Sequence, residues 1–408
     1  MRRAGGSRMI SRQLLARIAW ALPWLVRYPL WRAREIVRRE VETSHPCHLI
    51  YVVANHFEPS WEKNGIQVGY ERQLSRLDNW CKQARAIGKA VRDCDGTPFR
   101  HTYFYPAEQY YPPLLERLSE LQAEGLGEVE VHLHHGADRP DSAANLRRTL
   151  ASFRDVLAEK HRCLSRWEGV GPPMYAFVHG NWALANSGGG RFCGVDSEMQ
   201  ILAETGCYAD LTLPSAPDRS QVPRINAIYQ CGRPLTERSP HYSGPDLRVG
   251  HAPRLPVLLS GPLILYWKRG SRGLPVLGVE NGSLAANYPL DLERLRRWRS
   301  ARVCVRGRPE WVFIKLTCHG FPSSDQGQMI GEPMRRFLED VVELGEQTGQ
   351  FRVHFATARE AFNMAMAAVD GHGGEPGRYR NHRLRLIMHE GRGSLGAEGE
   401  PSAGRAST

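Results

Sequence analysis

The sequence predicts an α/β protein, a (β/α) barrel in a single large domain. Three observations lead there. Short apolar runs of strand length alternate with segments whose apolar residues recur at helical spacing, across most of residues 45–370. The alternation repeats too often for a small sheet, which favours a barrel of parallel strands. The predicted strands also end repeatedly in His, Glu or Asn, as strands do when their carboxyl ends ring one site.

In chain order, His48 to Ala54 is an apolar strand. Residues 69–87 follow as a helix, with Leu74, Leu77, Trp80, Cys81 and Ala84 on one face and Gly88 as the stop. Thr102 to Tyr105 is the next strand, and Pro113 opens a helix that Gly125 closes. Glu128 to His135 alternates as a short buried strand with Gly136 at its turn. Residues 143–161 form a helix carrying Leu146, Leu150, Phe153 and Leu157. Strands are predicted over 174–178, 209–213 and 225–229, with a helix over 196–204. Residues 232–275 are dense in Pro and Gly and predict an insertion or long loop. Later come strands over 276–280, 311–318 and 352–355, with helices over 290–298 and 333–344. No internal repeat is present, and Ser187-Gly188-Gly189-Gly190 lacks the Lys and the setting of a phosphate loop.

The net charge of +11 suggests a nucleic-acid partner until it is located. Residues 1–41 hold ten Arg and two Glu, and the stretch from Gly374 onward holds six Arg and four Glu. About +1 remains for everything between, so a nucleic-acid groove is excluded. The nine cysteines are odd in number and form no Cys-x-x-Cys pair, which fits free thiols in a reducing cytoplasm.

Residues 1–44 predict a basic, aromatic-rich helical segment. Arg17, Pro23, Arg27 and Pro29 break its apolar run, so it cannot span a bilayer. Trp20, Trp24, Tyr28 and Trp31 among arginines fit a segment in a membrane interface, which would place the protein at the inner face of the membrane. The other reading is a helix that packs on the body or on a partner. Residues 371–408 predict a disordered tail from their Gly, Pro, Ser and Glu content.

The strand ends carry the chemistry. His132 and His134 lie two apart and share a strand face, with His135 at the last position. Imidazoles so grouped suit a divalent metal. Other ends supply Asn55, His56 and Glu58; His179, Asn181 and Trp182; Glu280 and Asn281; and Cys318 and His319.

The order of these pieces resembles the polysaccharide deacetylases of the NodB-homology type, which are distorted (β/α) barrels of the glycoside hydrolase/deacetylase superfamily. Ala54-Asn55-His56-Phe57-Glu58-Pro59 matches the place of the family's acidic pair, and Glu128 to His135 the motif that gives two His to the metal. Phe177-Val178-His179-Gly180-Asn181-Trp182 resembles the third motif, Glu198 to Ser215 the stretch after it, and Leu316-Thr317-Cys318-His319 the last. The resemblance covers residues 46–365 and is nearest a divergent branch found with exopolysaccharide synthesis genes. It departs at Asn55, which cannot act as a base, and at His179, where the family has Arg.

The resemblance implies a metal-dependent hydrolase that deacetylates an envelope or exopolysaccharide carbohydrate. His56, His132 and His134 would hold the metal, with His135 as a fourth ligand or an orienting group. Zinc is the expected ion, with cobalt, nickel and manganese as alternatives. Glu58 or Glu280 would replace the missing base, and His319 would be the acid. Asn55, Trp61, His179, Asn181 and Trp182 would contact substrate. Two other readings stand beside it: a barrel without catalysis that binds glycan or partner proteins, and a glycoside hydrolase built on Glu58 and Glu280. Oligomeric state is not encoded in any of these motifs.

Overall fold

A computed structural model describes residues 19–41, 46–62, 65–270, 273–322 and 324–390. Helix α1 (Tyr28–Val41) precedes strand β1 (Cys47–His56), helix α2 (Tyr70–Ala90) and strand β2 (His101–Pro106). Helix α3 (Pro112–Ala123), β3 (Gly127–Leu133), α4 (Ala143–Glu159), β4 (Ser165–Trp167) and β5 (Val170–His179) follow. Then come α5 (Glu198–Glu204), β6 (Cys207–Asp210), β7 (Ile228–Gln230), β8 (Val257–Leu259), β9 (Ile264–Arg269), β10 (Pro275–Glu280) and β11 (Ser283–Leu284). The chain closes with α6 (Leu292–Ser300), β12 (Trp311–His319), α7 (Gly327–Ile330), α8 (Glu332–Thr348), β13 (Phe351–Ala356), α9 (Ala358–Val369) and β14 (Leu384–Leu386).

Twelve strands form one mostly parallel sheet: nine run in the order β11-β12-β1-β2-β3-β5-β6-β8-β7, β13 pairs with β1, and β4 joins β14 to β5. β1 is its spine. It pairs in parallel with β12 over its length, and with β13 and then β2 along its other edge. The α/β class and the parallel pairing match the sequence expectation. Barrel closure is not shown: no ladder joins β11 to β7 among the described residues.

Side-chain alternation explains the layers. Leu49, Tyr51 and Val53 of β1 face one way and pack with residues of α2, α3 and α4. Ile50, Val52 and Ala54 face the other way, against α9. All residues of α9 are buried, a pattern a surface helix cannot show. It begins with a capping box in which Thr357 and Glu360 satisfy each other's backbone N–H groups. Each large apolar side chain buried there, such as Phe362, contributes roughly 1.5–3 kcal/mol.

Strand β3 turns polar residues toward that same face. Its Val129, Val131 and Leu133 join the helical layer. Glu128 instead forms a buried pair with Arg359 of α9, at 2.6 Å to the guanidinium and 2.8 Å from Thr357 Oγ1. Glu130 accepts from the Ala176 N–H at 2.6 Å and from the Tyr208 hydroxyl. His132 is the next residue on that face.

Three expectations need correction. The 232–275 stretch is no mere loop, because β8 within it pairs in parallel with β6 in the main sheet. The strand expected over 276–280 is not part of that sheet: β10 pairs only with β9, as an antiparallel hairpin. The tail does not begin at 371. β14 pairs with β4, and Asn363 fixes it through bonds to the Arg383 and Leu384 backbone. Residues 391–408 of the expected tail lie outside the described residues. At the other end, Trp24 and Tyr28 are buried against Ala216, Ile225 and Leu263, so the N-terminal segment packs on the body. No described helix is long and apolar enough to cross a membrane.

Candidate metal centre

Glu58 lies two residues beyond the end of β1, and its buried carboxylate is the focus of the site. Oε1 is 3.0 Å from His134 Nε2 and 3.5 Å from His132 Nε2. Oε2 is 3.0 Å from His319 Nδ1. The elements explain the convergence: β1 and β12 are in register, so that His56 pairs with His319. His132 and His134 close the neighbouring edge, their rings 4.7 Å apart.

The tautomers follow from the partners. His132 Nδ1 lies 2.8 Å from the Val178 carbonyl oxygen, which can only accept, so Nδ1 carries hydrogen. Its Nε2 then faces Glu58, and that buried nitrogen has no hydrogen-bond partner. His134 Nδ1 likewise donates to Glu108 Oε1 at 2.6 Å, leaving its Nε2 for Glu58. Lone pairs aimed at a carboxylate need a cation or a proton between them. Donor atoms around a tetrahedral zinc lie about 3.3 Å apart, close to the spacing of this trio. Glu58, His132 and His134 are thus three protein ligands of suitable type and separation for one divalent ion.

Electrostatics agree with the geometry. Burial alone would raise the Glu58 carboxyl, but the close rings of His132, His134 and His319 hold it well below the usual range. Burial would lower His134, yet Glu108 and Glu58 bring it up to about 10. His56 is driven well down by burial, by His319 and by His132. Its ring sits between theirs, 4.6 and 4.7 Å from them, with Nδ1 unpartnered. His56 therefore borders the ligand trio without being one of its donors.

Gly180 is required here. A Cβ on it would stand 2.3 Å from the His134 ring. Two residues on, Trp182 adopts φ of +56°, a backbone that a bulky side chain rarely takes. Its indole lies 6.5 Å from the His319 ring, and Trp61 lies 5.2 Å from that ring on another loop. A cleft of about 400 Å³ opens beside His319, lined among others by Trp20, Trp182, Asp218 and Asn281.

The remaining expected residues lie elsewhere. His135 turns away from His134, as consecutive residues at a strand end do, and joins His179 near Glu198. Asn181 follows His179, its backbone N–H 3.2 Å from His179 Nδ1. Asn55 faces the helical layer, where its amide meets His101 at 3.3 Å. Glu280 stands at the end of the hairpin rather than of a sheet strand. Arg294 takes both its oxygens at 2.8 Å, and the Gly282 N–H adds a third bond. Sequence reasoning missed Glu108, although it follows the end of β2 by the same logic that singled out the others. It also missed Glu198 as a site residue, a fully buried acid on a helix face with Ile201 and Leu202.

No protein-family profile matches the chain, and no curated protein does. Among solved structures it is similar to a GH57-type branching enzyme from the hyperthermophilic archaeon Pyrococcus horikoshii. The TM-score is 0.37 and the identity 10%, over 81% of this chain and 71% of that one. Membership of the polysaccharide deacetylase family is overturned, because no family profile, that one included, matches the chain. A likeness at that score carries no argument about chemistry, which rests on the site's own atoms.

Proposed function

We propose that the protein is a divalent-metal hydrolase that removes an acyl group from a carbohydrate. Glu58, His132 and His134 would be its metal ligands, and His319 its acid–base group. The observation that supports this is the Glu58 carboxylate, shared by three imidazoles, one of which, His132, has a buried Nε2 with no hydrogen-bond partner. A divalent ion held there supplies a Lewis acid that polarises an acyl carbonyl and lowers the pKa of water.

The chain's own groups do the rest. Glu58 Oε2 accepts from His319 Nδ1, which leaves Nε2 for the cleft that His319 lines. In that orientation Nε2 takes the proton of the attacking water and returns it to the leaving oxygen or nitrogen. Water adds to the acyl carbon, the bond to the sugar substituent breaks, and a carboxylic acid and an alcohol or amine leave. Trp61 and Trp182 flank His319 with flat apolar faces suited to sugar rings, while Asp218 and Asn281 offer polar contacts to hydroxyls. A glycoside hydrolase on Glu58 and Glu280 is disfavoured, because Arg294 neutralises Glu280.

The test is metal analysis of the purified protein together with release of acetate from acetylated glycan oligomers. At least one equivalent of zinc, cobalt, nickel or manganese, with metal-dependent release, supports the reading. No bound metal at neutral pH overturns it and leaves a glycan-binding protein. Metal without release sinks the hydrolase while keeping the centre.

A further inference from the structure

We propose that the chain holds a second, closed divalent-metal centre made by His135, Cys193, Glu198 and His179, behind the first and sharing no ligand with it. The four donor atoms lie within 4.8 Å of one another, and all four residues are buried. His135 Nε2 is 3.0 Å from Glu198 Oε1, and His179 Nε2 is 3.8 Å from the same oxygen. Cys193 Sγ is 3.4 Å from Glu198 Oε2.

Three features point to a ligand rather than a chance cluster. His135 Nδ1 donates to Asp141 Oδ2 at 3.1 Å, and Asp141 is itself fixed by the Ser142 N–H and the Asn145 amide. A carboxylate behind an imidazole is the arrangement that orients a metal-binding histidine. His179 Nε2 is fully buried, aimed into the cluster, and without a hydrogen-bond partner. Such an orphan is destabilising unless something else satisfies it. Finally, the backbone is built to close the site: Gly136, at φ of +65°, brings the turn after His135 so near Cys193 that a Cβ would stand 2.3 Å from its carbonyl oxygen.

Two imidazoles, a thiolate and a carboxylate form a four-donor set of the kind that encloses zinc with no open position. That predicts a structural ion, not a reacting one. Binding replaces the Cys193 S–H bond and the His135 Nε2–H bond by bonds to the metal and releases both protons to solvent. Burial and the Glu198 charge push the free thiol up to about 11, so the site without metal holds a thiol. His179 joins by moving its ring proton to Nδ1, giving up the long 3.2 Å bond from the Asn181 N–H.

The experiment is cobalt substitution of the full chain, read by absorption. Of the two proposed centres only this one contains sulfur, and a Cys94→Ser background removes the sulfur that groups with Asp95 and His354, so there a thiolate-to-cobalt charge-transfer band reports this centre. The band is expected in that background alone and with His132→Ala, which removes a ligand of the other centre and should lose one of two metal equivalents. It should vanish in Cys193→Ser with loss of the other equivalent. Should that variant fail to fold by circular dichroism, Glu198→Gln replaces it, with the same expected loss of one equivalent. Absence of the band from the cobalt-loaded background protein overturns the proposal, as does a band that persists when Cys193→Ser is added and the protein is folded. Because the band is independent of hydrolysis and of His132, failure of the first centre does not pass for failure of this one.

Discussion

Glu58 Oε2 and His319 Nδ1 lie 3.0 Å apart, so one carboxylate both faces the metal-type histidines and orients the acid–base candidate. The two roles separate by mutation. His319→Ala should keep metal content near wild type and lower kcat by roughly 10²- to 10⁴-fold, the usual range for a positioned acid–base group. Glu58→Ala should lose both metal and activity. Equal metal loss in the two variants would make His319 a ligand instead.

Glu108 should matter although it lies outside the ligand trio. It takes the Nδ1 proton of His134 at 2.6 Å and so fixes which nitrogen meets the ion. Glu108→Ala is expected to weaken metal binding about 10- to 100-fold, measured by competition with a chelator, without removing the site. Unchanged affinity would show that His134 needs no such support.

Much of this was legible in the sequence, and the failures are instructive. The strand ends identified Glu58, His132, His134 and His319, because period-two alternation and a Gly turn fix where a strand stops and which side chains share a face. Asn55 was misplaced by one step of that same alternation, since His56 and not Asn55 points toward the trio. Glu280 misled because a β-hairpin and a sheet strand look alike over six residues. Helix α9 was overlooked: its Arg359, Glu360 and Asn363 are buried along with its apolar residues, so they do not mark a solvent face, although the Thr357-to-Glu360 capping box was present. Cys193 and Asp141 reach His135 through tertiary packing, for which no local spacing exists.

Glu130 predicts a stability that falls as pH rises. Burial pushes its carboxyl up to about 8, despite bonds from the Tyr208 hydroxyl and the Ala176 N–H. Between about pH 4.5 and 8 the folded chain thus holds a proton that the unfolded chain has released, and stability declines with pH by at most ~1.4 kcal/mol per pH unit. Urea unfolding of Glu130→Gln should show a flatter profile than wild type over this window. A wild-type stability that rises from pH 5 to 8 by this group's contribution would refute the assignment.

The Glu128–Arg359 pair ties β3 to α9 in the core. Arg359→Met strands a buried carboxylate and should cost about 3–5 kcal/mol of unfolding free energy. Glu128→Gln combined with Arg359→Met should cost less than Arg359→Met alone, since no unpaired charge remains. Additive losses in chemical denaturation would mean that the two residues act independently.

The N-terminal segment and the β9–β10 hairpin form the last testable surface. Tyr28 of α1 is joined to β9 through the Leu265 N–H at 3.0 Å, and both elements pack on one small cluster with Trp24. Outward, the segment exposes Val26, Leu30, Ile36 and Val37, and the hairpin exposes Leu274, Leu277 and a Trp267 that is 73% accessible. With five arginines among the described residues 19–41, this rim is expected to meet the interface of an anionic bilayer, where each basic residue contributes about 1 kcal/mol. Because Trp24 and Tyr28 are buried against the body, deleting all 41 residues would confound binding with folding. Trp267→Ser with Leu277→Ser is the cleaner variant: it should keep the fold and metal content while weakening sedimentation with anionic vesicles, and raised salt should weaken wild-type binding further. Equal sedimentation of wild type and the double variant, or none by either at low salt, would remove the membrane from the account and leave α1 as a helix that only braces the body.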